Sequence, residues 1–181
     1  MTINNKKLSY LGPIGTYSEE AALKYNKKGY QLVPKKTIFE VLDSVESSQI
    51  DEGIIPIENS RVGTILETID FLIESKNLHI NSEIHLPIEA CLITKNKDTD
   101  LSNIKEIISK PEAINQCNLW IKENLVKDII LSEYPSTAEA VSDLVNHDNS
   151  VAAIANSRSA EINNCNVLAK GIQDYKNNIT R

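Results

Sequence analysis

Cysteine is scarce in this chain: Cys91, Cys117 and Cys165 are the only three in 181 residues, and they stand far apart. Without a C-x-x-C pair or a His/Cys cluster, neither a disulfide framework nor a zinc site is supported. A reducing cytoplasm is the expected setting. Basic charge is also in deficit. Nineteen Lys and Arg stand against 25 Asp and Glu, a net charge of −6 with a pI of about 5.1. Nucleic acid is therefore not expected as a partner, because neutralising phosphates takes a basic face. A small anion remains open, since it needs only a local positive pocket. Long apolar runs are missing too: none approaches the roughly 18 residues of a membrane span, and "MTINNKKLSYLG" holds no signal core. G-x-x-x-x-G-K-[ST] and G-x-G-x-x-G are both absent, so a nucleotide cofactor has no support. No fixed-period repeat or low-complexity segment occurs.

What is present is ordinary for a globular domain, with 41% apolar and 24% charged residues. A chain of this length buries about 70% of its unfolded surface, enough for a core without staples. Strand-like and helix-like segments alternate. "KLSYLGP" reads as a strand, followed by a helix from Thr16 or Ser18 to about Lys27, with Glu19 and Glu20 in its first turn, where the dipole favours acids. "YQLVP" is a strand, and Thr37 caps a helix to about Ser47 with Ile38, Val41, Leu42 and Val45 on one face. "EGIIPIENS" reads as a strand buried on both faces, and "ILETIDFLIES" as a helix. "LHINSEIHLPIEACLIT" reads as one long extended run. "IKEIIS", "DIILSEY", "SVAAIA" and "NVLAKGIQD" are strands. "EAINQCNLWIKEN", opened by Pro111, and "PSTAEAVSDLVN" are helices, and "NSRSAEIN" is a short one. This alternation predicts an α/β fold with mostly parallel sheets. "GIIPIENSR" and "VAAIANSR" echo each other, each an apolar strand running through Asn-Ser-Arg toward a helix.

Four strand-to-helix junctions carry clustered small polar residues: Gly15-Thr16-Tyr17-Ser18, Asn59-Ser60 with Gly63-Thr64, Ser136-Thr137 and Asn156-Ser157. Helix starts present N–H groups and a favourable dipole to carboxylates and phosphates. Each junction is also an ordinary N-cap; together they favour a polar ligand cleft. Glu58 follows an apolar strand at one junction and is a candidate acid or orienting group. His79 and His85 lack a third ligand nearby, so no metal is expected. Cys117 and Trp120 read as core, and Lys6-Lys7 and Lys35-Lys36 as solvated faces.

Seven segments in chain order resemble prephenate dehydratase: "YLGPIGTYSEEAA", "GIIPIENSRVGTI", "EIHLPIEACL", "ISKPEAINQC", "STAEA", "AAIANSRSAEI" and "IQDYKNNITR". The resemblance implies two α/β subdomains with a cleft between them, similar to type II periplasmic binding proteins. The subdomains would be 1–78 plus 156–181 and 79–155. It implies conversion of prephenate to phenylpyruvate with loss of water and carbon dioxide, in phenylalanine biosynthesis, with no cofactor and no metal. By the same resemblance Thr16, Tyr17, Ser18, Asn59, Ser60, Thr64, Ser136 and Thr137 would bind the dianionic substrate. Thr180, Arg181 and Glu58 would serve catalysis, Thr180 matching the threonine of a Thr-Arg-Phe motif. The chain stops at Arg181, before the aromatic residue and before the regulatory ACT domain usual in the family. Lys110 and Ala90 stand where many relatives carry histidine. A cytoplasmic homodimer is expected, with no membrane association. A two-lobed anion receptor without chemistry and an inactive assembly domain are the alternatives.

Overall fold

The computed structural model describes residues 6–26 and 29–181. They form two compact units. Unit 1 takes Met1–Pro87 and Asn177–Arg181, and unit 2 takes Ile88–Lys176. In chain order unit 1 holds β1 (Lys7–Leu11), α1 (Tyr17–Tyr25), β2 (Gln31–Lys35), α2 (Ile38–Glu46), β3 (Glu52–Ile54), β4 (Glu58–Asn59), β5 (Gly63–Thr64), α3 (Leu66–Glu74) and β6 (Leu86–Pro87). Unit 2 holds β7 (Cys91–Thr94), β8 (Glu106–Ser109), α4 (Pro111–Asn115), α5 (Asn118–Asn124), β9 (Ile130–Glu133), α6 (Thr137–Asp143), β10 (Val151–Ala155), α7 (Ser157–Ile162) and β11 (Asn166–Lys170). The chain then returns to unit 1 as β12 (Ile179–Thr180).

Unit 1 carries a parallel three-stranded sheet, β2-β1-β3, and an antiparallel four-stranded one, β5-β4-β12-β6. Leu8 and Tyr10 of β1 pack with Ala22 of α1 and Tyr30. The opposite face of β1 offers Ser9, whose hydroxyl reaches the carbonyls of Val41 and Glu52 at 3.5 and 3.4 Å. Beside it α2 comes so close that a Cβ on Gly53 would stand 3.1 Å from both Val41 and Val45. Thr16 and Thr37 cap α1 and α2, each accepting a backbone N–H three residues on, as the N-cap position requires. The expected helix end near Lys27 lies outside the described residues.

Unit 2 is a five-stranded sheet, β11-β7-β10-β8-β9, with helices on both faces. Period-two alternation sorts its strands between two cores. Leu92, Ile107, Ala152 and Ile154 face Ile114, Cys117 and Ile121 of the α4–α5 side, with Trp120 packed against them. Cys91, Ile93, Ile108, Ala153 and Ala155 face Val141, Leu144 and Ala160 of the α6–α7 side. Cys117 is thus core, and burial, followed by the nearby Asp174 charge, pushes its thiol up to about 12.

Several sequence expectations are corrected. The sheets are not mostly parallel: β7 runs antiparallel to both its neighbours, and every pairing in the four-stranded sheet is antiparallel. "EGIIPIENS" is not one doubly buried strand. Among the described residues β3 is a sheet edge bonded only to β1, and residues 55–57, with Pro56 lacking an N–H, interrupt it before β4. The long run 78–94 becomes strand only at β6 and β7. The helix after Pro111 breaks at Gln116–Cys117 into α4 and α5. The units divide after Pro87 and Lys176 instead of near 78 and 155, because β6 bonds to β12 in unit 1 whereas α7 and β11 pack with β7 in unit 2.

Candidate functional site

The last residues of the chain are woven into the centre of the four-stranded sheet. Arg181 N–H donates to the Glu58 carbonyl at 2.8 Å, and Ile57 N–H donates to the Arg181 carbonyl at 2.8 Å. Ser60 closes the other side: its hydroxyl donates to the Asn177 carbonyl at 3.2 Å and accepts from Ile179 N–H at 3.0 Å. Thr180 therefore sits opposite Asn59 in the ladder.

Asn59 uses both ends of its side chain. Its Oδ1 accepts from the Arg61 and Val62 N–H groups at 2.9 and 3.0 Å, tightening the β4–β5 turn. Gly63, at φ 92°, supplies the left-handed residue of that turn. Asn59 Nδ2 donates to Thr180 Oγ1 and to Asn178 Oδ1, both at 2.8 Å. The Thr180 oxygen is thus an acceptor already. Its own hydrogen is directed elsewhere, and a hydroxyl that accepts one hydrogen bond is a better donor of the next. Arg181 Nη2 lies 3.0 Å from Glu58 Oε2, and its Nε lies 3.9 Å from Glu83 Oε2.

Thr180 and Arg181 line a cavity of about 750 Å³ within unit 1. Tyr17 and Ser18 of the α1 start line it as well, as do Ile54, Ile57 and the extended residues 77–84. The Thr16 hydroxyl is committed to the cap and to the Leu11 and Pro13 carbonyls at 3.1 and 3.0 Å. The buried Glu19 carboxylate accepts Gly15 N–H at 2.7 Å. What this turn offers the cavity is the first turn of α1 at Tyr17 and Ser18, on the positive end of the helix dipole. The cavity also has an acidic end, at Asp51 and Glu52. The Glu52 carboxylate accepts the hydroxyls of Tyr25 at 2.5 Å and Tyr30 at 3.0 Å. That bond, with burial second, pushes Tyr25 up to about 12.

The structure thus brings Tyr17, Ser18, Thr180 and Arg181 to the lining of one cavity, with Asn59 hydrogen-bonded to Thr180 and Glu58 paired with Arg181. Thr64 lies exposed on β5 and is not among the residues that line the cavity. Ser136 and Thr137 belong to unit 2, where the Ser136 hydroxyl caps α6, accepting Glu139 N–H and donating to its carboxylate, both at 3.1 Å. The echo between the two Asn-Ser-Arg segments dissolves: Asn156 caps α7, whereas Asn59 holds a hairpin turn. Asn178 and Glu83 were missed. Asn178 is hidden in a polar tail but buried, a pattern no local signal reveals. Glu83 sits in an alternating run that reads as plain strand.

Fold and site together define a two-unit α/β protein in which a threonine, an arginine and a helix start line one cavity of unit 1. The prephenate dehydratase family model matches residues 8–181, and the chain belongs to that family. The prephenate dehydratase of Methanocaldococcus jannaschii is 37% identical over 98% of this chain and 63% of its own length. The bifunctional chorismate mutase/prephenate dehydratase of Aquifex aeolicus is 33% identical over 97% of this chain and 47% of its own. The chain spans about half to two thirds of the length of these curated relatives. Among solved structures, the prephenate dehydratase of Arthrobacter aurescens, in complex with L-Phe, matches with a TM-score of 0.84 and 30% identity over 96% of this chain and 58% of that one.

Proposed function

We propose that this chain converts prephenate to phenylpyruvate, as a carbon–oxygen lyase of phenylalanine biosynthesis. The observation that carries the reading is the Thr180 hydroxyl, held by Asn59 on the wall of the cavity that Arg181, Tyr17 and Ser18 share. The chemistry asks for little else. The ring carboxylate leaves as carbon dioxide, its C–C bonding electrons enter the ring, and the ring C–O bond breaks. The departing oxygen takes one proton and leaves as water. Aromatisation supplies the driving force, so neither a redox cofactor nor a metal is called for.

In this scheme Thr180, polarised by the Asn59 amide, donates a hydrogen bond to the leaving oxygen, and the one proton that turns this oxygen into water comes from solvent, so that the threonine keeps its own. Arg181 and the α1 start take the substrate carboxylates. Glu58 orients Arg181 from behind. The Glu52 end, its carboxylate already accepting two tyrosine hydroxyls, faces the uncharged part of the ligand. A cytoplasmic homodimer goes with this reading, and the proposal rests on unit 1 residues.

The test is incubation of the chain with prephenate at neutral pH, following phenylpyruvate by its absorbance in alkali against an enzyme-free control. Turnover that Thr180→Ala lowers by about 100-fold or more is the expected result. A folded chain that binds prephenate without converting it would replace the enzyme by an anion receptor.

A further inference from the structure

We infer that Glu83 is the displaceable partner of Arg181, and that it sets how strongly an anionic substrate binds. The inference rests on the proposed function and extends it to Glu83, the first residue of the "EIHLPIEACL" segment, to which the sequence assigned no role.

Arg181 is flanked by two carboxylates, Glu58 at 3.0 Å and Glu83 at 3.9 Å. One guanidinium between two carboxylates leaves a local charge of −1. An incoming carboxylate finds that site attractive only if one partner yields. Glu58 is the poorer candidate to leave. Its contact is shorter, and its backbone is locked to Arg181, whose N–H donates to the Glu58 carbonyl at 2.8 Å. Glu83 has the opposite character. Its contact with Arg181 is beyond hydrogen-bond length, its side chain is 61% exposed, and residues 77–85 around it join no sheet ladder. It also has somewhere to go, because its other oxygen lies 3.1 Å from His85 Nε2. Both Glu83 and Arg181 line the cavity, so the exchange takes place where the ligand arrives. Arg181 trades Glu83 for the substrate carboxylate and keeps Glu58.

The experiment is a kinetic series on the whole chain: wild type, Glu83→Gln, Glu83→Asp, and Asp70→Asn as a charge control on an exposed α3 acid outside the cavity wall. Glu83→Gln is expected to lower KM for prephenate about two- to fivefold, the scale of an exposed ion pair, with kcat changing less than KM. Glu83→Asp restores the wild-type KM. In the Arg181→Gln background, read as phenylpyruvate binding by calorimetry, Glu83→Gln has no further effect. An unchanged or raised KM in Glu83→Gln would overturn the inference. So would an equal fall in Asp70→Asn, or an effect that survives without Arg181. Absence of turnover in the folded wild-type chain would instead overturn the enzyme reading on which the inference stands, and wild-type activity separates the two failures.

Discussion

At Thr180 the direction of a single hydrogen decides between a passive tail residue and a donor. Because Asn59 Nδ2 already points at Oγ1, the hydroxyl hydrogen is left for another acceptor. Thr180→Ala is expected to lower kcat by about 100-fold or more while KM stays within about threefold, the pattern of an interaction made in the transition state. Thr180→Ser should retain most of the activity. Asn59→Asp reverses the polarity: a carboxylate would accept the threonine hydrogen and draw it away from the cavity. Steady-state kinetics of this variant should show kcat reduced by about 10-fold or more. The tyrosine beside Glu52 gives a pH prediction. A raised pKa means the Tyr25 hydrogen bond contributes fully below about 10, the ordinary value, and its contribution is lost as pH rises through about 12. Tyrosinate absorbance in an alkaline titration should show Tyr25, with Tyr10 and Tyr134, ionising only near about 12.

At the scale of elements, caps and clamps carry the argument. Thr37 accepts Glu40 N–H at 3.0 Å, and the Glu40 carboxylate accepts Lys36 N–H at 2.9 Å, a reciprocal start for α2. Thr37→Ala should cost about 1 kcal/mol in denaturant unfolding. The end of α6 is held by Asp143, which accepts the Tyr134 hydroxyl, Asn146 Nδ2 at 2.7 Å and a contact from His147 at 3.1 Å. The tyrosine bond, first among these, lowers the Asp143 carboxyl to about 2. A depressed pKa contributes stability above the ordinary aspartate value of about 3.9, and that contribution is lost as pH falls toward about 2. Acid unfolding of wild type and Asp143→Asn should therefore show a stability gap at neutral pH that closes below about pH 2.

Across the whole molecule the decisive feature is that the chain leaves unit 1 after Pro87 and returns at Asn177. β12 stands between β4 and β6, so the sheet order depends on the chain's final residues. Deleting residues 177–181 should strip β4 and β6 of their common partner while leaving the unit 2 ladders intact. Hydrogen exchange would show this as protection lost at Ile57, Ser60 and Arg181-facing amides, and kept across β7, β8 and β10. Protection lost equally in both units would contradict the division.

The local order of elements was legible because it rests on short-range physics. Thr16, Thr37, Ser136 and Asn156 are caps in the sequence and caps in the structure, and the apolar runs at Val151–Ala155 and Cys91–Thr94 are buried strands. Thr180 was legible only through its resemblance to a family motif, since a short polar tail carries no periodic signal. Tertiary structure alone decided three things. It made β7 antiparallel, because strand direction follows from where the chain crosses and not from composition. It broke the 78–94 run, whose alternation is a strand pattern but whose residues 78–85 find no ladder partner among the described residues. And it set Thr180 against Asn59 and Arg181 between Glu58 and Glu83, contacts spanning about a hundred residues or more, which only the folded chain can bring within hydrogen-bond reach or ion-pair range.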